Sequence, residues 1–480
     1  MSNCPSCDVC VVGGGYSGTM VCANLIRLGY CGTIVLVERG PRVARGVAYD
    51  PPNERLLLNV PVANMGAWAD DPSEFHRWLI GRGREVAPGA FVSRAWYGEY
   101  LEQKLTEAVE SSRGRLSIVR GEAVAYSRES DLHRVALKDG REITSRRLVL
   151  ALGNLRPGPL SGVEIPGGTA WWHADPWSGA AHRACANGER VMVIGTGLTM
   201  VDVCVSLTSA GARPRITVLS RNGLLPCVHA TPGFKAVSAT PPELGWPLRR
   251  IVRHVRREAR RVMREGGDWR AAVDCLRPMT RAIWAGLSAK DRERFVRLVR
   301  TPWDVHRHRV PAEVIAKLVE LQQRKSLRIV AGRVRRAEDL GASARVTWLD
   351  RATGREESAE FDRVINCTGA RTSIDASPLL GAMAAAGIVR SEEIGLGVQT
   401  DAWARAIGRD GTVSDGVWVV GPLRRGTLWE STAVPDLREQ ALDAAREVIG
   451  DGEEWGLGDP TARRNAGSMK NAARFLADGA

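Results

Sequence analysis

The residues best able to do chemistry in this chain sit at the corners of two strand–turn–helix stretches. The first, "DVCVVGGGYSGTMVCANLIRLGYCGTIVLVERG" (8–40), sets Gly13, Gly15 and Gly18 between an apolar strand and a helical pattern, and closes a second strand on Glu38. Each position has a task in holding a dinucleotide. Gly13 makes the tight turn, Gly15 lets the backbone approach a pyrophosphate, and Gly18 lets helix and strand pack closely. The helix N-terminus offers free N–H groups and the positive end of its dipole. Glu38, twenty residues beyond Gly18, accepts hydrogen bonds from ribose hydroxyls and repels a 2′-phosphate. That argues against NADP here and leaves FAD or NAD.

The second stretch, "VIGTGLTMVD" (193–202), repeats the turn with Gly195 and Gly197 but has Met200 where the third glycine would stand. "ERVMVIG" before it reads as a strand, "LTMVDVCVSLTSAG" as a helix, and "RITVLSR" as a second strand. Where the first unit ends its second strand in an acid, this one has Arg221, which suits the 2′-phosphate of NADP. Only the helix-packing position has changed, to a flexible side chain able to fill an irregular gap. The pyrophosphate site can survive that change with a slightly displaced helix.

The elements that must position these turns follow from the remaining apolar strands. "RRLVLALGN" (146–154), "FDRVINCTGAR" (361–371) and "DGVWVVGPLRRGTLWEST" (415–432) each end in a turn, at Gly153, Gly369 and Gly421. Three such strands after one dinucleotide turn fit an FAD domain built in pieces better than a simple NAD dehydrogenase. Between about 240 and 325 the sequence turns helical and basic, and "WDVHRHRVP" (303–311) closes that stretch with His306, Arg307, His308 and Arg309. Alternating His and Arg there can contact an anionic substrate or cofactor, or pair with acids in the helical layer. The histidines have no obvious Asp, Glu or Cys companions at ligand spacing, which argues against a metal.

Bulk properties set limits. The formal charge of +13 is concentrated in "PLRRIVRHVRREARRVMREGGDWR" (247–270), where apolar residues recur at helical spacing between arginines. This predicts an amphipathic helix with a solvated basic face; without interleaved aromatics, no nucleic-acid partner is expected. No run of 18 apolar residues occurs and no secretory signal is visible, so the expected location is the cytoplasm, off the membrane. The ten cysteines lie mostly in apolar segments, as reduced thiols do. Cys4, Cys7 and Cys10 form a C-x-x-C-x-x-C run, but no matching His/Cys cluster follows, so a tail plus a core thiol is expected.

With "VVGGGYSGTMVCANL", "GVAYDPPNERLLLNVPVANMGAWADDPSEFHRWL", "VIGTGLTMVD", "WDVHRHRVP", "VINCTGA" and "GPLRRGTLWESTAVPDLREQAL" in view, the chain from about residue 7 to 450 resembles the bacterial FAD/NAD(P)-binding flavoproteins with two dinucleotide-binding domains, whose members include amino-acid N-hydroxylating enzymes. The resemblance implies an α/β fold: an FAD domain interrupted by an NADP-type domain, with the flavin ring between them. It also implies that "LLLNVPVANMGAW" (56–68) passes close to the flavin ring, bringing Asn59 near it unless Asn59 merely forms the turn before Pro61. A carboxylate near the nicotinamide is implied at Asp202, although a helix-dipole role is the alternative. One departure is Pro422, where the wider class often has an Asp after the last strand's glycine.

The expected organisation is an FAD domain over 1–155 and 361–450, an NADP-type domain over 156–240 and 326–360, a helical insertion over 241–325 and a tail over 451–480. The flavin-binding set is then Gly13, Gly15, Tyr16, Ser17, Gly18, Glu38, Arg39, Asn59, Val124, Gly153, Gly369, Gly421 and Leu428. The NADPH set is Gly195, Gly197, Leu198, Thr199, Asp202 and Arg221, and the candidate catalytic residues are Asn59, His306 and His308, with Trp429 and Glu430 bordering the substrate pocket. The expected activity is NADPH-dependent flavin monooxygenation with oxygen, with N-hydroxylation of a small amine or amino acid as the expected form. Two alternatives stay open: an oxidase or dehydrogenase reduced directly by its substrate, and a non-catalytic flavin-binding partner protein docking through its basic helices.

Overall fold

A computed structural model of the chain describes residues 6–230 and 233–450. The chain opens with β1 (Ser6–Val12), β2 (Ile34–Glu38), β3 (Leu116–Arg120), β4 (Ala123–Glu129), β5 (Leu132–Leu137) and β6 (Glu142–Leu150). β3, β2, β1 and β6 lie side by side in parallel, while β4 and β5 fold back as an antiparallel ribbon on the first half of β6. β1 is apolar from Val9 to Val12 because both of its faces are covered there: Val9 and Val11 enter one core, Cys10 and Val12 another. Such continuous runs mark parallel strands buried on both sides. The helix Tyr16–Arg27 is buried from Tyr16 to Leu25, packed against the helices Arg94–Ser111 and Val434–Gly450.

A second sheet follows, made of β7 (Trp172–His173), β8 (Arg190–Ile194), β9 (Arg215–Ser220), β10 (Leu327–Asp339), β11 (Ala344–Asp350), β12 (Glu356–Phe361) and β13 (Arg363–Asn366), in the order β12-β11-β10-β9-β8-β13-β7. The strands β10, β9, β8 and β13 stand to one another as β3, β2, β1 and β6 do in the first sheet, so the plan is used twice. The chain then re-enters the first sheet with β14 (Arg405–Ile407) and β15 (Val413–Val419), the latter parallel beside β6.

Two expected boundaries need correction. The strand at 361–371 does not return to the first sheet; β13 pairs with β8 and β7 in the second. "VLALG" and "VINCTG" play the same part in different sheets, each lying beside its own glycine turn, so the pattern alone does not assign the sheet. The return comes with the helix Pro378–Ala385, whose Leu379, Leu380 and Met383 enter the first domain's core. The expected insertion is also too long at its end. The helix Ala312–Gln323 belongs to the second domain, where Leu318 and Leu321 pack with Val203 and Val218. The insertion proper is built from helices such as Leu248–Arg264, Thr280–Gly286 and Arg300–Arg307, around Leu248, Ile251, Trp284, Phe295 and Trp429.

Cys7 and Cys10 are buried in β1, and burial pushes Cys7 up to about 12. A thiol held that high is no redox nucleophile. Cys4 and the tail after residue 450 lie outside the described residues. Among the described residues every cysteine is free, no group of His, Cys, Asp and Glu is placed to hold a metal, and no helix is long and apolar enough to cross a membrane.

Candidate functional site

The first glycine turn is built as its spacing requires. Gly13 has φ 106°, a conformation glycine adopts at little cost, and its N–H donates to Val37 O at 2.8 Å. A Cβ on Gly13 would fall on the Ala151 carbonyl, and one on Gly18 would fall on the Gly13 carbonyl. Gly15 caps the helix with no side chain over its first N–H groups, and its Cα faces Gly46, so a Cβ there would come 3.5 Å from the Gly46 Cα. The Gly14 N–H donates to Glu38 Oε2 at 2.7 Å and the Gly40 N–H to Oε1 at 2.6 Å. A carboxylate has about four lone-pair sites, so Glu38 is held in place with acceptor capacity left for ribose hydroxyls. Arg39 stands at the exposed rim, 3.7 Å from Glu122.

Other expected flavin residues gather around this turn. Tyr16 O–H donates to Ala67 O at 3.1 Å, tying the helix to the 56–68 segment. A Cβ on Gly421 would meet the Ser17 hydroxyl at 3.1 Å, so the end of β15 closes on the helix start. The β4–β5 pairing steps from Ala123↔Leu137 to Ala125↔Ala136, which leaves Val124 bulged out of the ladder. Bulges of this kind free a backbone amide beside a binding site. Ser431 Oγ, Arg438 Nε and Gln440 Nε2, in the segment after β15, are buried without a hydrogen-bond partner. Orphaned polar atoms beside a helix N-terminus that no side chain caps fit a bound FAD. Gly153 follows β6, and Gly369 follows β13 in the second sheet rather than the first, as the strand correction requires.

The second turn keeps the same backbone. Gly195 has φ 117°, its N–H donates to Leu219 O at 2.8 Å, and a Cβ on it would fall on the Cys367 carbonyl. Gly197 caps the helix Leu198–Leu207 at φ −79° and ψ −173°, against −75° and −164° at Gly15. Met200 is fully buried, its sulfur 3.6 Å from Cys204 Sγ. Its Cβ exists where the first turn tolerates none, so this helix stands off its turn. A Cβ on Gly197 would have no neighbour within 4 Å, and Leu198 and Thr199 are partly exposed. The cradle is open.

Strand register refines the position of Arg221. Val12 pairs with Val37 and Ile194 with Leu219, so Glu38 corresponds to Ser220 and Arg39 to Arg221. Ser220 Oγ accepts from the Thr196 hydroxyl at 3.0 Å and from the Gly223 N–H at 3.0 Å. Arg221 is exposed beyond it, next to Asn222, which receives Arg351 Nη1 at 2.7 Å. No carboxylate replaces Glu38, and a hydroxyl with two nearby guanidinium groups suits a phosphate.

Asp202 does not face open space. It is buried against the FAD domain, 2.9 Å from Arg94 Nη2 in an ion pair outside hydrogen-bond geometry. Burial pushes its carboxyl up to about 6, and Arg94 only partly offsets this. Arg94 Nε donates to Leu57 O at 2.9 Å. A small cavity of about 20 Å³ is lined jointly by Asn59 and Leu57 and by Leu198 and Asp202. The 56–68 segment therefore meets the start of the second helix directly. The Asn59 carbonyl accepts from His229 Nε2 at 3.0 Å. Nothing local in the sequence pointed to Arg94, which is 108 residues from its partner.

The segment after β15 meets the insertion at the carboxyl end of the first sheet, where ligands bind in open α/β sheets. Trp429 has φ 59° and ψ −63°, and the Glu430 N–H donates to Leu428 O at 2.8 Å. This is the rare, strained form of the γ-turn, held by packing of Trp429 on Trp284 (4.8 Å) and Phe295 (4.6 Å). It presents Glu430 to Trp303 Nε1 at 3.1 Å, Arg307 at 3.7 Å and His308 at 3.7 Å. Burial raises Glu430, but the His308 bond and the Arg307 charge outweigh it and hold the carboxyl down at about 2. Asp436 is pushed up by burial and by Glu430, and Arg425 is pushed down by burial, its Nε without a partner. Of the histidines, only His308 reaches this cluster. His306 points outward and bonds Pro302 O of its own helix at 2.7 Å, and Arg309 is spent on Asp274 at 2.9 Å. Asp304 stands four residues before His308 on the same helix, 3.6 Å away, but Glu430 and the Asp274 that occupies Arg309 come from elsewhere in the chain, and no spacing rule reveals them.

Comparisons with known proteins agree with this architecture. Residues 10–155 match a family described as FAD-NAD(P)-binding. The ornithine N-hydroxylase of Kutzneria sp. 744, solved with reduced FAD, NADP+ and L-ornithine, shares the fold at a TM-score of 0.64 and 17% identity, over 94% of this chain and 100% of that one. L-lysine 6-monooxygenase from Pseudomonas syringae matches at 0.64 and 17%, over 93% and 100%. The bacillithiol disulfide reductase of Staphylococcus aureus matches at 0.56 and 13%, over 94% and 100%. No curated protein matches by sequence. The chain thus has the two-dinucleotide-domain flavoprotein fold that the resemblance implied.

Proposed function

We propose that this two-domain flavoprotein is an NADPH-reduced, FAD-dependent monooxygenase that hydroxylates the nitrogen of a small amine or amino acid. The observation that carries the reading is the second turn. It repeats the first turn's φ, cap and strand hydrogen bond, lies open, and ends its second strand in Ser220-Arg221 rather than in an acid. The ornithine N-hydroxylase and the lysine monooxygenase of similar fold add support, whereas the disulfide reductase keeps to oxidoreduction in general. NADPH would supply the hydride and FAD the oxygen activation.

The chain's own residues supply binding, orientation and dryness. Gly13, Gly15 and Glu38 hold the FAD pyrophosphate and ribose; Gly195 and Gly197 accept the NADPH pyrophosphate, with Ser220 and Arg221 on its 2′-phosphate. Trp284, Phe295 and Trp429 exclude water from the flavin side of the insertion. Arg425 offers its buried, unpaired Nε to a substrate carboxylate, and the carboxyl groups of Glu430 and Asp436 favour a nearby ammonium. The test is turnover with NADPH and labelled dioxygen against a panel of amino acids and polyamines. A hydroxylated amine carrying label is the expected product. Stoichiometric peroxide with every candidate, or NADPH-independent reduction by the substrate, would replace this reading with an oxidase or a dehydrogenase.

A further inference from the structure

The helix Leu248–Arg264 carries eight arginines in its 17 residues, more than its packing on the insertion's core explains. One side, through Leu248, Ile251 and Val262, is spent on the insertion's own core. Several arginines are also spent: Arg250 lies 3.8 Å over Trp246, Arg257 bonds His254 at 3.0 Å, and Arg261 bridges Glu258 and Glu265. The remaining five, Arg249, Arg253, Arg256, Arg260 and Arg264, recur every third or fourth residue. That spacing puts them in one stripe about 22 Å long. None has a carboxylate ion-pair partner among the described residues.

The stripe is one wall of a groove of about 1280 Å³. The other wall runs through residues 291–299, where a single π-turn, Phe295–Val299, interrupts the helical path. π-turns concentrate at functional sites. Here it sends Phe295 into the core and leaves Leu298 64% exposed, across from Met263 at 57%. A basic stripe with exposed apolar side chains between its arginines is a recognition surface rather than a solvated face.

We propose that this groove docks an acidic amphipathic helix of a partner protein, with its carboxylates along the arginine stripe and one or two apolar side chains between Met263 and Leu298. Carboxylates at every third or fourth position of a helix repeat at about 6 Å, the pitch of the stripe. A flat bilayer would touch only the ridges of a groove. No aromatic residue lines it, so it offers single-stranded nucleic acid no stacking platform.

The test uses the purified holoprotein and a fluorescein-labelled peptide of about 16 residues, with glutamates on one face, leucines beside them and alanines elsewhere. Anisotropy is read at about 0.15 M salt. The peptide is expected to bind at least about tenfold tighter than a scramble of the same composition. The triple variant Arg253→Glu, Arg256→Glu, Arg260→Glu removes that binding while flavin content and NADPH oxidation stay unchanged, and Leu298→Ser weakens it independently. Equal binding of helix and scramble would reduce the surface to bulk charge and overturn the proposal. Tighter binding to equimolar phosphatidylserine–phosphatidylcholine vesicles or to duplex DNA, or a self-association that the triple variant abolishes, would assign the groove to another occupant and overturn it likewise.

Discussion

The two glycine turns of this molecule share a backbone and differ in what surrounds it. At the first, the 43–46 segment closes over the turn: the Ala44 N–H donates to Gly14 O at 2.6 Å, and Gly46 faces Gly15. Tyr16, Ser17 and Gly18 are buried, and Gly421 closes on the helix start. At the second, Gly197 has open space beside it and the following residues are partly exposed. An enclosed cradle retains its ligand and an open one exchanges it. In the proposed function the same motif serves a resident cofactor and a passing reductant, Glu38 against Ser220-Arg221 separates which nucleotide enters each, and the missing glycine is a packing change rather than the loss of a site.

The largest effects should come from exchanging the residues at the third position. Gly18→Met would drive a side chain into the Gly13 carbonyl, and the protein is expected to purify without flavin or not to fold. Met200→Gly, by contrast, should empty a fully buried site. Its cost is about 3–5 kcal/mol, read by denaturant unfolding, while flavin content is retained. If Met200→Gly instead raised stability and tightened NADPH, the second turn would be a decayed copy of the first.

A smaller effect lies where the domains meet. The Asp202 carboxyl is raised from its ordinary 3.8 to about 6 in the folded protein. Between about pH 4 and 6 the folded state keeps a proton that the unfolded chain has released. The associated stability is therefore full below the unfolded value and lost as pH rises through about 6, with a ceiling of about 3 kcal/mol. Unfolding curves at the two ends of that window should differ less for Asp202→Asn than for the native protein. An identical difference in both would remove Asp202 from the domain interface.

Much of the first unit was legible because its glycines, strands and acid are local in sequence and each obeys a short-range rule. The second unit was legible in kind but not in detail. Strand ends are set by pairing, and only the β8–β9 register shows that Ser220, not Arg221, matches Glu38. The assignment of 361–371 failed because both sheets use the same strand pattern beside their turns. The partner of Asp202 and the distant partner of His308 were hidden for a different reason: Arg94 and Glu430 reach them through tertiary folding, and a γ-turn at Trp429 has no composition that announces it.

The central claim, that the open turn is a working NADPH site, is tested most directly by anaerobic reduction of the bound flavin. NADPH should bleach the flavin band faster than NADH, and Arg221→Ala should slow the NADPH reaction at subsaturating nucleotide by about tenfold or more, the loss of one charge-assisted phosphate contact, with NADH unchanged. Equal rates for the two nucleotides, untouched by Arg221→Ala, would contradict the account.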